Sequence, residues 1–368
     1  MKRLIYILFL LVLLSCDKEA RPVRGGEKID FSVSPLTVNT TKSEVLDSNL
    51  KDEEYENLYV YAATSDGAVS SPVVNAPGAR LYYDAVREVW NPKVVTGYNK
   101  TTDLEWEDGL YYTFYGFAFS DGVDINKDYD ETDGCLTLDN STYGRKFTVT
   151  QPFTGDGTNT IDYLLSSVVN VAPSANRPLV PIELEHAMAR VDVDVQIAKS
   201  MFDENDACLV SGISVTVRGI KNKATMLCPQ PKQYGDAGTN IWYVTFIKNS
   251  GAEEVGTSAY TKANIDNTAT NREGGSTPND MSFMAIPVTN TEMTSYELLL
   301  RYHGLLSGSD YEYSFDLKKF SPDGWVSGHK VKYVLTIDNS IHLSGSIVDY
   351  EDVDYIEAVI VPNIPGTK

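Results

Sequence analysis

Alternation of apolar and polar residues is the main pattern along this chain, and it predicts β-strands. Residues 29–33 alternate with period two, and Pro35 follows them. Because proline within a strand favours a sheet edge or a bulge, we interpret this first strand as an edge strand. Further strands of the first half are expected at 58–63, 81–83, 86–90, 110–120, 135–138 and 146–150.

The aromatic stretch 110–120 has the strongest strand pattern. Its apolar residues occupy both faces, which is typical of a central strand covered on both sides. Gly116 within it indicates a bulge or a close backbone approach. Residues 161–165 are compatible with either a helical turn or a strand, because periodicity does not discriminate at that length.

Residues 182–197 alternate strictly in their second half, which predicts a half-buried strand. Four apolar residues share one face and three polar residues the other: Val191, Val193, Val195 and Ile197 against Asp192, Asp194 and Gln196. Residues 199–205 form a short helix or a loop, and the polar stretch 249–280 is interpreted as a long loop. Later strands are expected at 213–217, 241–247, 281–288, 296–302, 311–317, 330–337 and 355–362.

Strands separated by turn signals, with few short helices, predict an all-β protein built of β-sandwiches. We expect two tandem domains, 29–198 and 199–368, with a boundary where the strong alternating strand ends. After the signal segment described next is removed, 353 residues remain, enough for two hydrophobic cores.

The N-terminus has the layout of an export signal. Lys2 and Arg3 precede an apolar run at 4–14, which is too short to span a bilayer, and Cys16 follows Leu-Leu-Ser. A cysteine at that position resembles a bacterial lipobox, which implies that residues 1–15 are removed and that Cys16 carries acyl chains such as palmitate. The alternative is an ordinary signal peptide with an incidental cysteine. Residues 16–28 are polar and glycine-containing, which is typical of a flexible tether.

Composition narrows the possible partners. The formal charge is −20, so nucleic acid and anionic lipid are repelled and neither is an expected partner. The 23 tyrosines favour half-buried pleated surfaces and contact surfaces. Three cysteines remain after lipidation: either Cys208 and Cys228 form a disulfide beside a free Cys135, or all three are buried thiols.

No enzyme motif is present, and we expect neither catalysis nor a cofactor. None of the four histidines lies in a metal-binding spacing, and His186 is interpreted as a structural histidine. Oxygen ligands alternate as in a calcium loop at Asp124, Asn126, Asp128 and Asp130. The loop lacks the glycine and glutamate of an EF-hand, so a solvated acidic loop is the alternative to a weak calcium site.

Four landmarks together resemble the fimbrillin-like proteins of Bacteroides-type bacteria, the type V pilins and their accessory subunits. They are the lipobox, the first strand followed by the basic site Thr40-Thr41-Lys42, the motif His-Ala-x-Ala-Arg-Val at 186–191, and the late strand at 325–337. The resemblance covers nearly the whole chain after Cys16. It implies two transthyretin-like β-sandwich domains, a surface-exposed outer-membrane lipoprotein precursor, and assembly into fimbriae that serve adhesion.

In that family a protease cuts after the first strand, and a neighbour's strand fills the groove that opens, which is β-augmentation. The matching position here is Lys42, with the cut before Ser43; Arg24 is a less favoured site. Polymerising pilins commonly carry arginine at the matching position, and a subunit that is not cut would keep its lipid and act as an anchor. Expected partners are other fimbrial subunits, the outer membrane through lipid, and a host or bacterial surface ligand.

The C-terminal tail at 352–362 is the candidate donor strand. Apolar residues on both faces suit a strand buried in another subunit: Val353, Tyr355, Ile356, Ala358, Val359, Ile360 and Val361. The alternative is a last strand of the chain's own C-terminal sandwich. The alternative function is a surface lipoprotein that binds glycan or host protein through exposed aromatics and the 249–280 stretch, without polymerising.

Overall fold

The structure is a computed structural model. It describes residues 28–35, 51, 58–65, 70–72, 79–93, 104–120, 136–139, 145–152, 154–166, 169–171, 179–228, 245–247, 257–267, 280–338 and 341–349. The strands up to residue 186 are β1 Phe31–Pro35, β2 Leu58–Ser65, β3 Ser70–Pro72, β4 Ala79–Asp84, β5 Val89–Lys93, β6 Tyr111–Phe119, β7 Leu136–Asp139, β8 Arg145–Thr150, β9 Thr154–Gly155, β10 Tyr163–Ser166, β11 Val169–Val171 and β12 Val180–His186.

The remaining strands are β13 Ala189–Ile197, β14 Val210–Lys221, β15 Lys223–Cys228, β16 Thr245–Ile247, β17 Thr257–Lys262, β18 Met281–Ala285, β19 Glu297–Gly304, β20 Ser309–Asp316, β21 His329–Ile337 and β22 His342–Asp349. Short 3-10 helices span Lys199–Met201, Asn290–Glu292 and Leu317–Phe320. The predicted all-β fold is therefore confirmed. Periodicity left residues 161–165 open, and they contribute to strand β10.

Nine strands form the first sheet, in the order β11-β6-β10-β12-β1-β5-β4-β2-β3. Strand β2 also pairs with β6 over eight residue pairs, so the hydrogen-bonded order returns on itself. The strands β6, β10, β12, β1, β5, β4 and β2 thus form a closed ring, with β11 and β3 beside it. Its interior is the first cluster, a set of buried apolar residues that runs from Ile29 to Leu184.

The stretch 110–120 forms β6 in this ring, as a central strand with three pairing partners. Phe114 points into the first cluster, while Phe117 and Phe119 on the opposite face are 3% and 1% exposed and stack against Tyr59. Coverage on both faces is therefore confirmed. The close approach expected at Gly116 is also confirmed, because a β-carbon there would come within 2.2 Å of Ile182 Cγ2.

Two sheets enclose the second cluster, which runs from Ala189 to Leu343. Their orders are β18-β13-β21-β22 and β20-β19-β14-β17-β9. Strand β17 lies inside the stretch 249–280, so the interpretation of that whole stretch as a loop was wrong. Tyr260 of β17 is 1% exposed in the second cluster, and one apolar residue among small polar ones gave too weak a pattern.

The segment 145–162 contributes to a third sheet and to a sheet of the second cluster before the chain enters β10 of the ring. Strand β8 pairs with β15 in this third sheet, β16-β15-β8-β7, and β9 extends the sheet of β17. Ser258 Oγ and Tyr260 Oη donate hydrogen bonds to the Pro152 carbonyl oxygen at 2.6 and 2.8 Å. The two-domain division with a boundary at 198 stays a prediction; buried residues pass from the first cluster to the second between Leu184 and Ala189.

Candidate assembly site around the first strand

Strand β1 lies inside the closed ring. It runs parallel to β12 over five residue pairs, from Phe31 opposite Val180 to Pro35 opposite Leu184. On its other side Phe31 pairs with Trp90 of β5. The edge-strand interpretation was therefore wrong at Phe31, which pairs on both sides, and Pro35 ends the strand. Beyond Phe31, the side of β1 toward β5 has no ladder pairing among the described residues.

The apolar side chains of this first segment fill the ring. Ile29 and Phe31 are fully buried and Val33 is 7% exposed. Phe31 meets the edge of the Phe114 ring at a centroid distance of 5.4 Å. Burying side chains of this size is worth about 1.5–3 kcal/mol each. Removal of the segment would thus leave an apolar groove between β12 and β5.

A second contact holds the segment from the outside. Arg87, in the hairpin between β4 and β5, forms an ion pair with Asp30, and its Nη1 also donates to Asn91 Oδ1 at 3.3 Å. The Arg87 side chain is 52% exposed and that of Asp30 22%. The sequence pattern did not indicate Arg87, because its partner lies 57 residues away in the chain.

The motif at 186–191 joins the two clusters. His186 Nδ1 lies 2.7 Å from Asp162 Oδ2, and both side chains are buried. Ser327 Oγ donates to the Ala187 carbonyl oxygen at 2.9 Å, and the Gly328 amide donates to the Met188 carbonyl oxygen at 3.0 Å. His186 therefore has the structural role that the sequence suggested.

Strand β13 is buried on both faces, so the prediction of a half-buried strand was wrong. Asp192 and Asp194 on its polar face are 0% and 1% exposed. Arg190 Nε donates to Asp192 Oδ1 at 2.9 Å, and the ammonium groups of Lys330 and Lys332 on β21 lie 3.2 and 2.6 Å from Asp192 and Asp194. Opposite charges thus compensate the buried carboxylates.

The sequence does contain a signal for these ion pairs. Charged residues alternate with valine in both Asp192-Val-Asp194 and Lys330-Val-Lys332, and the two strands are parallel neighbours. Burial raises the pKa of the Asp194 carboxyl, while the hydrogen bond and charge of Lys332 act in the opposite direction. The ionised form of Asp194 is therefore less favourable at this buried position than it is in water.

Most of the predicted site residues lie outside the described residues: Cys16, Arg24, Lys42, Asp124, Asn126, Asp128, Asp130 and the donor positions between Val353 and Val361. Cys208 is a half-buried free thiol, and burial raises its pKa. The alternative of a Cys208–Cys228 disulfide is therefore not formed.

Two searches of the described part of the chain were negative. His, Cys, Asp and Glu side chains there form no group of three or more that could bind a metal ion. No helix there has the length and apolar character needed to cross a membrane.

Known structures share this fold. A fimbrial protein of Bacteroides vulgatus superposes with a TM-score of 0.53 at 15% identity, over 87% of this chain and 99% of its own. A Bacteroides ovatus protein described as a candidate in cell adhesion gives 0.50 at 13% identity, over 90% of this chain and 100% of its own. Among curated proteins, none matches the chain.

These two structures therefore share the fold of this chain. The model of the fimbrillin-like family matches residues 129–349, well over half of the chain. The chain belongs to the fimbrillin-like family. Membership supports a fimbrial or adhesion-related role at the cell surface and favours a non-enzymatic protein.

Proposed function

We propose that this protein is a structural subunit of surface fimbriae that assembles by β-strand exchange. The position of β1 carries the proposal, because one short strand closes the ring and fills its interior with Ile29, Phe31 and Val33. Loss of that strand would open an apolar groove, bounded by β12 over five residues and by β5 at Trp90. A neighbour's extended strand would restore both the backbone pairing and the apolar contacts.

A cut after Lys42 is the step we assign to strand release, with Arg24 as the less favoured site. Lys42 lies downstream of β1 and Cys16 upstream, so one cut would separate both the lipid and the strand from the rest of the chain. Before the cut, acylated Cys16 would hold the precursor in the outer membrane. A subunit that stays uncut would remain there as an anchor.

The test is limited trypsin treatment of the purified chain, followed by N-terminal sequencing and size-exclusion chromatography. The expected product starts at Ser43, has lost the fragment that contains β1, and forms oligomers. Lys42→Ala should prevent both changes, while Arg24→Ala serves as the matched control and should prevent neither. Oligomers that form while β1 is retained would contradict strand exchange.

The alternative, a glycan-binding or protein-binding lipoprotein, has less support. It relied on exposed aromatics and on the 249–280 stretch. Among the residues whose side chains the structure describes, Tyr82 at 40% is the exposed aromatic ring. Part of the stretch is strand β17, so neither feature favours this function.

A further inference from the structure

We infer that the segment Ile356–Pro362 binds in a neighbour's groove in the register of residues 29–35, with Glu357 placed against Arg87. The inference rests on the proposed strand exchange. It adds a register for the incoming strand and a residue, Arg87, that forms an ion pair with it. Ile356–Pro362 lies outside the described residues, whereas the groove positions are described.

The two segments share a pattern of residue types. Residues 29–35 read Ile-Asp-Phe-Ser-Val-Ser-Pro, and residues 356–362 read Ile-Glu-Ala-Val-Ile-Val-Pro. Isoleucine comes first, a carboxylate second, a β-branched residue fifth and proline seventh in both. A strand that replaces another must present the same side-chain types at the same alternate positions, because its side chains project into the same pockets.

The surroundings of residues 29, 30, 33 and 35 explain why these four positions matter. Ile29 and Val33 are buried, so their replacements must be apolar, and Ile356 and Ile360 meet that requirement. Asp30 forms the ion pair with Arg87 outside the ring. Glu357 would take over that pair. Pro35 ends the parallel pairing opposite Leu184, and Pro362 would end it at the same place.

A second register has to be weighed, because Val353-Asp354-Tyr355 also resembles Ile29-Asp30-Phe31. It would place an aromatic ring in the pocket of Phe31. It would also place Glu357 at the position of Val33, which is 7% exposed. An unpaired buried carboxylate is unfavourable by several kcal/mol. The register of 356–362 buries no charge, and its weak point is Ala358, which underfills the pocket of Phe31.

Arg87 meets a carboxylate in both registers and does not by itself choose between them. In the 356–362 register it faces Glu357, and in the 353–359 register it faces Asp354. An exposed ion pair adds little affinity, but the carboxylate whose charge reversal weakens binding identifies the register. Apart from the cost of burying Glu357 at the position of Val33, strand register is weakly specified in a tail that is apolar on both faces.

The test uses the full-length chain after limited trypsin treatment and inhibition of the enzyme, with mass spectrometry to show that the fragment containing residues 29–35 has been released. Labelled peptides of residues 352–366 are then titrated, with fluorescence anisotropy as the readout. Glu357→Lys should weaken binding about fivefold, and Arg87→Glu in the protein should restore it. Asp354→Lys, the same charge change three residues away, should leave binding unchanged, as should Arg218→Glu at a remote exposed ion pair.

The peptide Ala358→Phe should bind several-fold more tightly, because phenylalanine refills the pocket of Phe31, whereas Val359→Phe should not. A loss of binding with Asp354→Lys in place of Glu357→Lys would overturn the register. So would a released groove that binds no peptide. If no fragment is released, strand exchange itself has failed, and the mass spectrum separates that failure from an error of register.

Discussion

The backbone of Gly116 packs directly against the side chain of Ile182, so that a β-carbon on Gly116 would lie 2.2 Å from Ile182 Cγ2. The contact joins the two strands that flank β10 in the ring, since Gly116 is on β6 and Ile182 on β12. The Gly116 amide also donates to Ser166 Oγ at 2.7 Å. Only glycine permits this approach, which sets the spacing between β6 and β12.

Gly116→Ala should therefore lower the free energy of unfolding by about 1–3 kcal/mol, because the added methyl group overpacks the ring. Urea denaturation followed by tyrosine and tryptophan fluorescence measures the change. Ile182→Ala removes the opposing Cγ2 atom, so Gly116→Ala should cost little more in that background. Additive losses in the double variant would contradict this explanation.

Phe31→Ala should destabilise the uncut chain by about 3–5 kcal/mol, because it empties a fully buried position against Phe114. If β1 is the exchanged strand, the variant should also release the cut fragment faster. The rate is measured by mass spectrometry after timed trypsin treatment. Ser34→Ala is the matched control, since Ser34 is exposed on the same strand. Equal release rates for the two variants would show that the Phe31 side chain does not retain the strand.

Asp194 and Asp156 should show opposite pH dependence. Burial raises the pKa of Asp194 above its ordinary value of 3.8, so the folded state holds that proton more tightly than the unfolded state. Its carboxyl group thus lowers stability progressively as pH rises from about 3.8 through the raised pKa. Urea titrations between pH 3 and 7 should show the parent gaining stability relative to Asp194→Asn as pH falls through this range.

Hydrogen bonds from Thr158 lower the pKa of Asp156, so its stabilising contribution is present above 3.8 and lost below it. The parent should accordingly lose stability relative to Asp156→Asn as pH falls below 3.8. The same slope for both comparisons would contradict the burial of Asp194 as the dominant cause.

Tyr333→Phe should cost about 1–3 kcal/mol, because its hydroxyl accepts a hydrogen bond from Trp325 Nε1 at 2.8 Å and bonds to Ser321 Oγ in a buried site. Burial raises the pKa of Tyr333 to about 12. The parent should therefore also lose stability relative to Tyr333→Phe between pH 10 and about 12, because the tyrosine ionises first in the unfolded state. Thermal unfolding monitored by tryptophan fluorescence tests both effects. Tyr82→Phe, at a 40% exposed position, should change stability by under about 0.5 kcal/mol.

Sequence patterns predicted local features well and long-range relationships poorly. The central position of 110–120 and the close approach at Gly116 followed from residue types within one strand. The position of β1 did not, because its pairing joins Phe31 to Val180, far away in the chain. For Asp192 and Asp194 the pattern correctly separated the two faces of the strand. It did not show that the lysines of β21 cover the polar face, because the matching spacing of Lys330 and Lys332 becomes informative only once β13 and β21 are known to be neighbours.

The crossing segment 145–162 has a mechanical consequence. Its strands pair with β15 and β17, and its Pro152 carbonyl accepts hydrogen bonds from two buried side chains of β17. Tension that pulled the ring away from the second cluster would have to shear these ladders together with the contacts at 186–188. The two clusters would then bear load as one unit and come apart in one cooperative event.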